Sequence, residues 1–197
     1  MKISFARRAA LCVVLVFALL LPSCADSAVT DSPSAFDLSL GQYIGNKSYE
    51  EMLDILKLDH DTANFEAMVL SLDDVDYDGT LFSKSLRFSV DDNYNSTFDS
   101  IMYTHLFDLG DTDPETVKQI VEKIYTELET QLGGKMLTDA RHSDNTIADM
   151  LAGEGIRPGA TYWAAEHDGC GVMLSCSYLD LEPPHRCRVT LVEYADD

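Results

Sequence analysis

The sequence of 197 residues predicts an α+β fold: an antiparallel β-sheet of about five to six strands, with a long helix and one or two short helices packed on one face. Three observations point there. Apolar and polar residues alternate with period two from Glu66 to Phe107, and again from Thr161 to Tyr194. Between those stretches Val117, Ile120, Val121, Ile124, Leu128 and Leu132 recur at helical spacing. Turn-forming pairs such as Asp78-Gly79 and Gly133-Gly134 separate the elements.

The elements follow in order. Ala25 to Ser34 is small, polar and aperiodic, which predicts a flexible tether over 24–35, because such a composition buries too little apolar surface to offset its ordering entropy. The folded domain is expected over 36–197, beginning near Phe36. Ser48-Tyr49-Glu50-Glu51 is a capping-box signature, followed by Met52, Leu53 and Leu56 at helical spacing, so a short helix is expected from Tyr49 to Leu58. A meander of three apolar runs comes next. Asp113 and Pro114 then open the long helix, which Gly133-Gly134 closes. A shorter helix is expected from Asn145 to Ala152. Strands are expected at Thr161 to Glu166, Gly171 to Leu179 and Arg186 to Tyr194, with Glu182-Pro183-Pro184-His185 in the last turn.

The stretch Asp73 to Ser85 admits two readings. Asp74, Asp76, Asp78 and Gly79 occupy positions 1, 3, 5 and 6 of an EF-hand loop, so a calcium-dependent binding module using this loop is one alternative. Position 12, where a bidentate glutamate belongs, is Ser85. The other reading is a hairpin. Phe82, Leu86, Phe88 and Val90 alternate with polar residues, and Asp-Gly is favoured in a type I′ turn. That turn would set Val75 opposite Phe82, Asp73 opposite Lys84, Val69 opposite Phe88 and Ala67 opposite Val90, leaving Met68, Leu70 and Leu72 on the far face unless a bulge intervenes.

Lys2, Arg7 and Arg8 precede an apolar run from Ala9 to Leu21, too short to span a bilayer, and the pattern predicts a signal peptide over 1–23. The run ends in Leu21-Pro22-Ser23-Cys24, which resembles the lipobox of bacterial lipoproteins. The resemblance implies cleavage before Cys24 and acylation of that residue with palmitate-type chains. Two or more chains anchor durably, since each buried methylene contributes about 0.8 kcal/mol. An ordinary secretory leader, with Cys24 incidental, is the alternative. Ala25, next to the lipidated cysteine, resembles an outer-membrane sorting residue, so the resemblance implies the bacterial cell envelope, at the outer membrane or cell surface, with the lipid anchor as the membrane contact.

The formal net charge is −20, with 34 acidic and 14 basic residues, and loss of the leader would remove only basic ones. Such a surface is repelled by nucleic acid and anionic headgroups, so no nucleic-acid partner is expected. Beyond Cys12 and Cys24 the cysteines are Cys170, Cys176 and Cys187. An odd number allows at most one disulfide among them. Pairing the last two strands about the final turn offsets Cys176 from Cys187 by about four residues, roughly 13 Å at ~3.3 Å per residue, too far for a disulfide without a bulge. His167, Cys170, Cys176, His185 and Cys187 lie close in sequence but lack zinc-ligand spacing, and buried thiols are expected instead of a metal site.

There is no Gly-x-Ser-x-Gly elbow, no His-Glu-x-x-His and no glycine-rich phosphate loop. Arg141-His142-Ser143-Asp144 places triad residue types side by side, whereas a triad is assembled from separate parts of a fold. No catalytic residue, metal or cofactor is therefore assigned. The order of helix, meander, helix and strands, together with Gly45-Asn46-Lys47-Ser48-Tyr49-Glu50-Glu51, resembles the small envelope domains of the β-lactamase-inhibitor-like and outer-membrane assembly lipoprotein kind over about Phe36 to Tyr194. Here Gly45 and Ser48 stand one residue further apart than in those families, and their leucine-glycine-x-proline step is missing, so neither inhibition nor assembly activity carries over. The expectation is an envelope-anchored lipoprotein with a non-enzymatic binding or scaffolding role toward a protein partner; an enzyme with a dispersed site is the further alternative.

Overall fold

The computed structural model describes residues 35–61, 65–66, 68–134, 137–138, 160–179 and 185–195. The leader, Cys24, the tether up to Ser34, the helix expected at 145–152 and most of the last turn lie outside the described residues. The described residues belong to one compact unit, Ser34–Asp197.

A 3₁₀ turn at Ser39–Tyr43 comes first, then helix α1 at Tyr49–Leu56. Ser48 caps α1 as its sequence predicts: its Oγ accepts from the Glu51 N–H at 3.2 Å, and its own N–H donates to Glu51 Oε2 at 2.9 Å. The helix stops two residues earlier than expected because Lys57 takes a left-handed conformation, with φ +57°. Met52 and Leu53 are fully buried.

The strands are β1 (Phe65–Glu66), β2 (Val69–Ser71), β3 (Val75–Tyr77), β4 (Thr80–Val90), β5 (Ser96–Asp108), β6 (Leu137–Thr138), β7 (Ala160–His167), β8 (Cys170–Tyr178) and β9 (Arg186–Ala195). They make a nine-stranded sheet ordered β1-β2-β4-β5-β9-β8-β7-β6, with β3 paired to β4, and each pairing is antiparallel. The count exceeds the expected five to six because β1, β2, β3 and β6 are only two or three residues long, too short to display a period of their own. Helix α2, Pro114–Gln131, follows β5 and precedes the return of the chain through β6 to β9. Asp113 Oδ1 accepts from the Glu115 N–H at 2.9 Å, Pro114 opens the first turn, and Val117, Ile120, Val121, Ile124 and Leu128 are buried.

Register explains where the core sits. Leu86 faces Ile101, Tyr103 faces Leu191, and Leu191 faces Leu174, so apolar side chains from four neighbouring strands share one face of the sheet. Phe88 pairs with Phe98 and Arg87 with Ser100, which leaves Asp99 as an extra residue in β5. This bulge keeps Phe98 and Ile101 on the same face, and both are fully buried. These strand residues and the buried residues of α1 and α2 belong to a single hydrophobic cluster. Phe36 joins it with ring centroids 4.9 Å from Tyr77, 5.4 Å from Phe82 and 5.2 Å from Tyr103.

The β3–β4 hairpin turns through Asp78 (φ +53°) and Gly79 (φ +82°), the double positive-φ pair of a type I′ turn. Val75 faces Phe82 as expected. Further from the turn the expected register is wrong by one residue: Val69 faces Arg87 instead of Phe88, and Leu70 faces Leu86. The chain slips between Ser71 and Val75, where pairing lapses. A one-residue slip moves side chains to the opposite face, and here it carries Leu70 from the outer face to full burial.

Candidate functional site

The slip between β2 and β3 lies beside a cleft of about 590 Å³ between the end of α1 and the β2–β3 connection. That volume falls within the range of small-ligand sites. Leu56, Leu58, Leu70, Leu72 and Val75 supply its apolar wall, Asp59, Asp73 and Asp74 its acidic members, and Lys84 its one cation.

Lys84 stands at an inward-facing position of β4, between Phe82 and Leu86. Its expected partner was Asp73. In the structure the residue across from it is Leu72, whose N–H donates to the Lys84 carbonyl at 2.9 Å, because the slip removes Asp73 from that position. The Lys84 ammonium lies 5.5 Å from the centroid of the Tyr103 ring, a cation–π contact, and among the described residues it makes no ion pair. Tyr103 is itself pinned: its hydroxyl donates to the Asp37 carbonyl and accepts from the Asp37 N–H, each at 3.1 Å. Burial pushes its phenol acidity well down, so it stays a neutral hydroxyl. The cleft thus sets an apolar wall beside Lys84 and three aspartates, Asp59, Asp73 and Asp74.

The three aspartates of the calcium-loop reading do not converge. Asp74 lines the cleft, Asp76 Oδ1 accepts from the Gly79 N–H at 2.8 Å, and Asp78 Oδ2 lies 2.8 Å from Lys123 Nζ on α2. Ser85 is paired with Ser71 in the sheet. Among the described residues no group of three His, Cys, Asp or Glu side chains is placed to hold a metal ion.

The C-terminal cysteine and histidine set separates likewise. His167 Nε2 is 3.7 Å from Asp168, the His185 ring stacks on Tyr178 with centroids 5.7 Å apart, and the Cys170 thiol donates to the Gly41 carbonyl at 3.4 Å. Cys176 and Cys187 do meet, which corrects the expected separation. Cys176 faces Val189 and Cys187 faces Tyr178, an offset of two residues in place of four, and the sulfurs are 3.2 Å apart. The turn between β8 and β9 is centred earlier than Glu182 to His185 would place it.

A further buried group escaped the sequence reading. Glu193 is 1% exposed, between Ile101 and Val172 in the sheet, and its Oε2 has no hydrogen-bond partner among the described residues. Burial first, then the charges of Asp37 and Asp168, push its carboxyl up to about 7. A signal existed in the period of β9: Cys187, Val189, Leu191 and Glu193 share one parity, so a strand that buries the first three buries the fourth.

Comparison with known proteins adds no relative: no family model, no curated protein and no solved structure matches the chain.

Proposed function

We propose that this protein is a lipoprotein of the bacterial cell envelope, held at the outer membrane or cell surface by acyl chains on Cys24, with a non-enzymatic binding or scaffolding role toward an envelope protein. The observation that carries this reading is Leu21-Pro22-Ser23-Cys24 at the end of a basic-then-apolar leader, followed by a small, polar stretch before the first core residue, Phe36. Among the described residues no helix is long and apolar enough to cross a membrane.

In this reading the helices form one layer on the sheet face that carries Phe82, Leu86, Ile101 and Leu191, in keeping with the single cluster those residues share with α1 and α2. The cleft at Lys84 is the surface assigned to the partner. Its apolar wall favours a segment that presents an apolar side chain, and its three aspartates against one lysine disfavour an acidic one. The test is mass spectrometry of the protein made in its own host. A diacylglyceryl-modified Cys24 at the amino end is expected, and release of a Cys24→Ala variant from the membrane fraction should follow. An unmodified amino end at any other residue would overturn the assignment.

A further inference from the structure

Cys176 on β8 and Cys187 on β9 occupy diagonal positions of neighbouring central strands, both fully buried, with Sγ atoms 3.2 Å apart. Two sulfurs in ordinary contact would sit further apart, and a covalent pair sits at about 2.05 Å. Both side chains are already turned toward each other, and the strands carrying them are registered from Cys170–Ala195 to Tyr178–Cys187. Both belong to the hydrophobic core cluster. Cys170, on the same face of β8, is engaged with the Gly41 carbonyl instead.

We propose that Cys176 and Cys187 are a redox pair that closes to an intramolecular disulfide when the chain meets a disulfide oxidant. The two S–H bonds break and one S–S bond forms. The oxidant's own S–S bond accepts the two electrons and, with the two protons, becomes two thiols. A diagonal position sets the two Cβ atoms further apart than a relaxed disulfide prefers, so the bond is strained and readily reduced. The hydrogen bond with Cys187, and then burial, hold the Cys176 thiol in its protonated form, and the attacking thiolate therefore forms while the hairpin is open, during folding.

The test uses the full chain, refolded from denaturant in a mixture of oxidised and reduced glutathione, then alkylated under denaturing conditions without reduction and cut with trypsin. Cleavage after Arg186 separates the two cysteines, so a bond between them joins two peptides at a mass lower by two hydrogens than their sum. Because Cys170 shares a tryptic peptide with Cys176, the experiment is repeated on Cys170→Ser. Persistence of the link in that variant is the expected result, as is its disappearance on adding a small dithiol. Full alkylation of both residues in the refolded protein, or loss of the link in Cys170→Ser, would overturn the proposal.

Discussion

Gly41 lies directly against the carboxylate of Glu193: a Cβ at position 41 would collide with Glu193 Oε1. The 3₁₀ turn at Ser39–Tyr43 closes over a buried acid in the middle of the sheet, and glycine is what lets the backbone approach so closely. The turn is also fastened by the Cys170 thiol on the Gly41 carbonyl and by the Gly45 N–H on the Phe98 carbonyl at 2.8 Å.

Glu193 makes stability depend on pH in a direction opposite to that of an ordinary paired carboxylate. Its carboxyl is raised from 4.5 to about 7 in the folded state, so between those values the native chain binds more protons than the unfolded chain. Stability is therefore highest below the lower value, falls as pH rises through the window, and levels off above it. The loss attached to a shift of this size is roughly 3 kcal/mol. Urea unfolding of wild type and Glu193→Gln at about pH 5 and about pH 8 isolates the effect. The difference between the two proteins should move in favour of the variant as pH rises. A constant difference would mean that Glu193 titrates alike in both states.

Gly41→Ala should destabilise the domain by about 1–3 kcal/mol, the range for overpacking a filled site. Truncating the group it collides with should return part of that loss, so Gly41→Ala combined with Glu193→Ala is expected to be more stable than the sum of the single effects. Denaturant midpoints of the four proteins in the cycle measure the coupling. Strict additivity would place the two residues out of contact.

What was legible in the sequence was chiefly what is decided locally. Ser48 and Glu51 cap α1 three residues apart, Asp113 and Pro114 start α2, and Asp78-Gly79 turns the β3–β4 hairpin; each motif contains its own physical cause. Relations that depend on register were less legible. The slip that buries Leu70 occurs across Leu72 to Asp74, where no glycine or proline marks an irregularity, and it is enforced by the core waiting opposite at Leu86. The meeting of Cys176 with Cys187 depends on how many residues the last turn leaves unpaired, a quantity no local motif sets. Lys84 and Tyr103 illustrate the limit for the cleft: they are 19 positions apart and become neighbours through the β4–β5 register.

Tyr103→Phe should cost about 1–2 kcal/mol, because one hydroxyl satisfies both the N–H and the carbonyl of Asp37, and the variant leaves both without that partner. The ring is retained, so the contacts with Phe36 and with Lys84 survive. Amide hydrogen exchange gives a local readout: the Asp37 N–H should exchange faster in the variant while amides in the middle of β5 keep their protection. Unchanged exchange at Asp37 would contradict the arrangement.

Position 79 separates the hairpin reading from a loop built around a cation. At φ +82° any residue with a Cβ is strained, and Gly79→Ala should lose about 1 kcal/mol of stability. Asp78→Asn should be nearly neutral. Asparagine tolerates the left-handed conformation as well as aspartate does, and the ion pair it forfeits with Lys123 is solvent-exposed, with side-chain exposures of 55% and 62%. A calcium loop would reverse this ranking, since removing the charge at position 78 would abolish a ligand whereas the glycine change would act only through geometry. Thermal melts of the two variants, each with and without millimolar calcium, decide the matter. Gly79→Ala as the more damaging change, with calcium leaving every midpoint in place, is the expected outcome. A calcium-dependent rise in the wild type that Asp78→Asn removes would mean that Asp74, Asp76 and Asp78 close around the ion, with the hairpin as the unliganded form of that segment.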